Sequence, residues 1–155
     1  MSNNYHFTLC VLLMILVGCV AVESQGATPM RGVARGVFSG IGEARQEIIK
    51  DQRAWQQFWA RHSVQVKSAG KLPEIDFTND MVIAVTMGRQ RTGGFTIEID
   101  NVEVVDQKLK VSIKRTAPQP GAMSIQVLTA PFHFVAVPKS DLKPEFVEVK
   151  AEAKK

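Results

Sequence analysis

Met81 to Phe95, MVIAVTMGRQRTGGF, is the stretch that decides the fold. Its first seven residues are almost continuously apolar and rich in β-branched side chains, with neither parity left polar. That pattern predicts a short central strand covered on both faces. Gly88 to Gly94 breaks it with glycines and polar residues. Downstream, Phe95, Ile97 and Ile99 alternate with Thr96, Glu98 and Asp100, as a half-buried strand requires. The apolar parity then flips at Val102 and Val104. A one-residue slip would turn the whole apolar set to solvent, so a β-bulge is expected at Asp100-Asn101. Asp106-Gln107 reads as a turn. Lys108 to Lys114 alternates again, with Leu109, Val111 and Ile113 inward and Lys108, Lys110 and Lys114 on a solvated face.

Beyond a Pro-Gly loop at Thr116 to Met123 (TAPQPGAM), Ser124 to Thr129 and Phe132 to Val137 read as two more short strands. Pro131 and Pro138 bound the second, which places it at or near a sheet edge. Phe146 to Val149 adds a last strand. Upstream, Asp51 is a good N-cap for QRAWQQFWARH, where Trp55, Phe58, Trp59 and His62 fall on one helical face. Those aromatics predict a core-filling helix rather than a binding platform. Gly36 to Gly42 (GVFSGIG) reads as a short strand punctuated by glycines. The expected fold is α+β: an antiparallel β-sheet of five to six short strands with one amphipathic, aromatic-rich helix packed on it, over residues 37–150.

The chain has 155 residues, 45% apolar and 22% charged, which fits one globular domain and excludes a disordered or low-complexity class. Nineteen Lys and Arg against 15 Asp and Glu give a net charge of +4, too small and dispersed to indicate nucleic acid. Phe7 to Val22 (FTLCVLLMILVGCVAV) is shorter than the roughly 20 residues a membrane span needs, and reads as a secretory h-region. It contains Leu16-Val17-Gly18-Cys19, which resembles a bacterial lipobox. The expectation is a lipoprotein signal peptide over residues 1–18, with Cys19 acylated and held in membrane lipid. Residues 19–36 then form a flexible tether, and 151–155 a charged tail. Cys10 leaves with the leader, so no disulfide is expected. The expected location is the bacterial cell envelope, with the domain exported.

Catalytic patterns are sparse. Gly36-Val37-Phe38-Ser39-Gly40 has the spacing GxxSG where a nucleophile elbow requires GxSxG. His62 and His133 lack metal-ligand spacing and read as the end of the helix and a structural strand histidine. Gly40-Ile41-Gly42 lacks the third glycine of a dinucleotide loop, and Asp76 with Asp80 falls in a loop. No enzyme, cofactor or metal centre is expected. The unusual segment is Arg89 to Phe95. Its paired glycines could aim backbone N–H groups at an anion or a partner's backbone, with Arg89 and Arg91 flanking them and Thr92 adding a hydroxyl. The plainer reading is a tight hairpin turn.

Taken together, Ser39-Gly40-Ile41, the DQRAWQQFW helix, MVIAVTMG, RTGGF and TAPFHFVAVPKS resemble the C-terminal domain of PrcB-type protease-complex subunits. The resemblance runs from about Val37 to Phe146, with Phe95 where that family usually has a tyrosine. It implies a non-catalytic accessory subunit that binds or stabilises a surface or periplasmic protease. It also points to Arg89, Arg91, Thr92, Gly93, Gly94 and Phe95 as partner-binding residues. The alternative implied by a different likeness is a protease inhibitor. Chagasin-like inhibitors present a Thr-Gly-aromatic loop between strands, echoed here by Thr92, Gly93, Gly94 and Phe95.

Overall fold

The computed structural model describes residues 26–64 and 70–150. The leader, Cys19 and the 151–155 tail lie outside them. Among the described residues no helix is long and apolar enough to cross a membrane. The described residues form seven strands and one helix, in the order β1 (Arg31–Gly36), β2 (Ala44–Ile49), α1 (Gln52–Ser63), β3 (Asp80–Met87), β4 (Thr96–Val105), β5 (Lys108–Thr116), β6 (Phe132–Pro138) and β7 (Lys143–Lys150).

The apolar run of β3 sets the layering. Val82 and Ala84 face one side, where they pack with Trp55, Phe58 and Trp59 of α1 and Phe134 of β6. Met81, Ile83 and Val85 face the other, against Ile97, Ile99, Val102, Leu109, Val111 and Ile113. Two buried faces need two covering layers, and the molecule is a helix–sheet–sheet stack. This corrects the expected single antiparallel sheet. One sheet has four strands in the order β1-β6-β3-β2 and the other three in the order β4-β5-β7. β7 runs parallel to β5, because the chain visits the first sheet as β6 between them and returns in the direction of β5.

The helix is built as its sequence implies. The Asp51 carboxylate accepts the Ala54 N–H at 2.8 Å, an N-cap. Trp55, Phe58, Trp59 and His62 are all buried. Trp55 and Phe58 stack at 5.9 Å, and Phe134 meets Phe58 edge-on at 5.1 Å. The β4–β5 register shifts between Ile99 and Asn101, which is the bulge that the parity flip requires. The hairpin turns through Asp106 and Gln107, both at positive φ, a geometry that suits the twist of a two-residue turn. The three outward lysines each find a carboxylate: Lys108 with Glu145, Lys110 with Glu103 and Lys114 with Asp100.

Three boundaries differ from expectation. The structured chain begins before Val37: Arg31–Gly36 is β1, paired with β6, and Ala27 bridges to Glu103. Part of the expected tether is therefore ordered, and Gly36 to Gly42 is the loop after a strand instead of a strand. β6 lies inside its sheet between β1 and β3 rather than at an edge. Its prolines do not interrupt the ladder, because Pro131 precedes the strand and Pro138 is its last residue. Ser124 to Thr129 is an extended loop outside both sheets, fastened by a Gln90–Thr129 bridge and by bonds from Gly93 to Ile125 and from Thr129 to Thr92.

Candidate functional site: the loop end

β1, β3, β5 and α1 all finish at one end of the stack, so the loops 37–43, 88–95 and 117–131 gather there with the C-terminus of the helix. Each loop is fastened to another by backbone bonds. The Gly40 N–H donates to the His62 carbonyl at 2.8 Å, supplying a partner to one of the orphan carbonyls at the helix end. A Cβ on Gly40 would fall 2.4 Å from the carbonyl oxygens of both Arg61 and Val64. Ser39-Gly40-Ile41 is thus a C-terminal cap delivered from a remote loop, a role that only glycine's bare backbone permits at position 40.

Ser39 and His62 form a pair that sequence reasoning missed. Ser39 Oγ lies 2.9 Å from His62 Nδ1 and accepts the Ile41 N–H at 3.1 Å. The hydroxyl and the imidazole are thereby hydrogen-bonded, with the Ile41 N–H as a second partner of the hydroxyl oxygen. His62 is buried among Trp59, Phe132 and Phe134, with ring centroids 4.9, 4.4 and 5.0 Å away. Burial lowers its pKa to about 4, so it is neutral. Among the described residues no carboxylate hydrogen-bonds this imidazole. The pair gives the buried imidazole a partner in a half-buried hydroxyl and ties loop to helix. Its partners stand 23 residues apart, and no sequence spacing signals such a contact.

The Arg89 to Phe95 segment is a packed turn. The N–H groups of Arg89, Gln90 and Gly93 donate to the carbonyls of Gly42, Thr129 and Ile125. Those three donors are committed to the fold. Gly93 is buried, and a Cβ there would meet Ile125 Cγ1 at 2.8 Å. Gly94 sits at φ +88° with Pro118 against it, and the Thr92 carbonyl accepts the Thr129 hydroxyl at 3.0 Å. Thr92 and Phe95 are half-buried. The turn is a shelf for the 117–131 loop. Arg91 and Gly94 are exposed.

What the shelf supports is an exposed apolar row. Met123 is fully exposed, Ile125 74%, Leu128 68% and Phe38 51%, with Val37 and Val127 partly so. Ala130 bonds the Val37 carbonyl, which joins the 37–38 segment to the row. Sequence reasoning placed Ile125 and Val127 in a short strand; the Pro-Gly loop read at Thr116 to Met123 continues through them instead.

Arg89 does not converge with Arg91. Its side chain crosses Gly42 and lines a cleft of about 480 Å³ with Gly40, Ile41, Glu43, Arg45, Arg61 and Val64. A smaller cavity of about 180 Å³ opens between the sheets, where His133 lies beneath the Arg35–Glu98 ion pair.

The family described as PrcB C-terminal matches residues 81–138, from β3 through β6. That match supports a PrcB C-terminal assignment for this segment. The match includes both the glycine turn and the exposed loop, and it is narrower than the likeness read from sequence, which extends to Val37 and Phe146. No curated protein matches the chain, and no solved structure does.

Proposed function

We propose that this chain is a non-catalytic accessory subunit that binds a protease or its neighbour in a complex. In this reading it is exported to a bacterial cell envelope and anchored in membrane lipid through Cys19. The observation that carries the reading is the exposed row Phe38, Met123, Ile125 and Leu128, held on a backbone that three loops brace. Apolar side chains beside arginines, on a preformed surface, are the usual composition of a protein interface. The family match adds protease-complex membership as the context. The chain enters β1 at the end of the stack remote from these loops, after Thr28 bonds Val102 of β4. An anchor upstream therefore favours a protein over the bilayer as the partner of the loop end.

The test uses cells expressing the full chain with a C-terminal tag. A protease-complex component should be recovered with it in detergent, and Cys19→Ser should move the protein from the membrane to the soluble fraction. Adding the purified chain to the recovered protease separates assembly from inhibition: an accessory subunit leaves peptide turnover unchanged or raises it, and an inhibitor lowers it.

A further inference from the structure

We infer that the cleft beside Gly42 is a carboxylate-binding site for the partner polypeptide, with Arg89 as the recognising residue. The inference rests on the reading of the loop end as the partner-binding end, and it names the chemistry that end selects.

Three arginines and two glutamates meet at this cleft. Arg45 is bound to Glu43 and Glu47, with Nη1 3.2 Å from Glu47 Oε1, and Arg61 reaches Glu47 Oε2 at 3.5 Å. Both acids are thereby engaged. Arg89 forms no ion pair with any of the described residues, so the one excess positive charge of the cleft is its own. Its position is set by the backbone beneath it. Its N–H donates to the Gly42 carbonyl at 3.0 Å, and its side chain occupies the space a Cβ at position 42 would fill, with Nε 2.8 Å and Cζ 3.3 Å from that point. Gly42 is therefore the seat of the guanidinium, which reduces the freedom it loses on binding.

A guanidinium presents parallel N–H donors that fit a carboxylate with two hydrogen bonds. One surplus charge suits one carboxylate, and Glu43 and Glu47 repel a more heavily charged ligand such as phosphate. The volume of about 480 Å³ accommodates a few residues of chain instead of a lone ion. Ile41 and Val64 add apolar surface to the cleft lining for a side chain adjoining the carboxylate. The chemistry is shared by a chain terminus and by an internal Asp or Glu.

Fluorescence anisotropy on the full chain in detergent decides the matter, using three labelled peptides. These are Gly-Ala-Leu-Phe as the free acid, the same peptide as its amide, and Gly-Glu-Leu-Phe amide. The free acid or the glutamate peptide should bind at least roughly tenfold more tightly than the neutral amide, and which one does so identifies the source. Salt should weaken the binding. Arg89→Ala should abolish the preference, and Gly42→Ala should reduce it severalfold although the charge is intact. Lys71→Ala, on a remote exposed side chain, should not change it. Equal binding of all three peptides, no binding, an unchanged preference in Arg89→Ala, or equally tight binding of inorganic phosphate would each overturn the inference. Protease capture that survives Arg89→Ala, together with any of those results, removes this site and leaves the accessory role standing.

Discussion

The backbone N–H of Ile99 donates to His133 Nδ1 at 2.9 Å, so a side chain of one sheet is the acceptor for the backbone of the other. Ile99 precedes the bulge in β4, and β6 brings His133 to the same seam. The bond requires Nδ1 to be unprotonated. Burial, the largest influence, lowers the His133 pKa; Glu98 opposes this and Arg35 adds to it.

Acid should therefore loosen the fold. His62 titrates near 4 in the folded state against an ordinary value of 6.5, and His133 is shifted in the same direction. A depressed histidine pKa means the unfolded chain takes up the proton first. The stabilisation is thus complete above pH 6.5 and is lost as pH falls from there towards the folded pKa. For His62 the loss is on the order of 2–3 kcal/mol by pH 4. The urea midpoint should fall between pH 6.5 and 5, where Asp76 and Asp141, both lowered from 3.8, remain ionised. A flat midpoint over that interval contradicts the neutral-histidine assignment.

Gly40→Ala should destabilise by at least ~2 kcal/mol, because its Cβ meets two carbonyl oxygens at 2.4 Å and the helix cap is displaced. Gly32→Ala is the matched control in β1, where nothing lies within 4 Å of the added Cβ. It should be neutral or slightly stabilising. Urea titration of both variants measures the difference; similar midpoints would exclude the capping role of the 39–41 loop.

Ser39→Ala removes the partner of His62 and the acceptor of the Ile41 N–H together. Leaving such groups unsatisfied costs about 1–3 kcal/mol. Partner capture and its effect on peptide turnover should persist at a temperature where the variant stays folded. A variant of full stability that abolishes a measurable turnover of its own would instead make Ser39 catalytic.

Exposed side chains on the long loop should matter little to stability. Ile125→Ser and Leu128→Asp change surface residues and are expected within about 0.5 kcal/mol of the parent. Gly93→Ala differs, since Ile125 must shift to admit the methyl group. It should disturb the apolar row from beneath without altering any residue in it. Thermal unfolding and partner capture on the three variants separate these effects.

Periodicity made much of the fold legible. The β3 run, the β4 parity slip and the Asp51 cap with its aromatic helix face are local signals, and the structure has each of them. The second sheet was only implicit, because which strands cover the far face of β3 depends on crossings made by the loops. The parallel β5–β7 pairing has no local signature at all. At the site, the unusual composition of Arg89 to Phe95 marked a turn that the structure places at the loop end. The purpose of its glycines was not legible: Gly93 and Gly94 admit Ile125 and Pro118, partners more than 20 residues away. Arg89 belongs with Gly42 and Arg61, and only the pairing of β2 with β3 brings it there.

Engagement of a protease complex by the loop end is the property on which the proposed role depends. It is tested most directly by tagged pull-down of the full chain from detergent-solubilised envelopes, run beside an Ile125→Asp/Leu128→Asp variant that keeps parental thermal unfolding. The account predicts a stoichiometric protease or adjoining subunit with the parent chain and its loss from the variant. Recovery of the same component by both would contradict it, as would recovery of no protease-complex component by the parent.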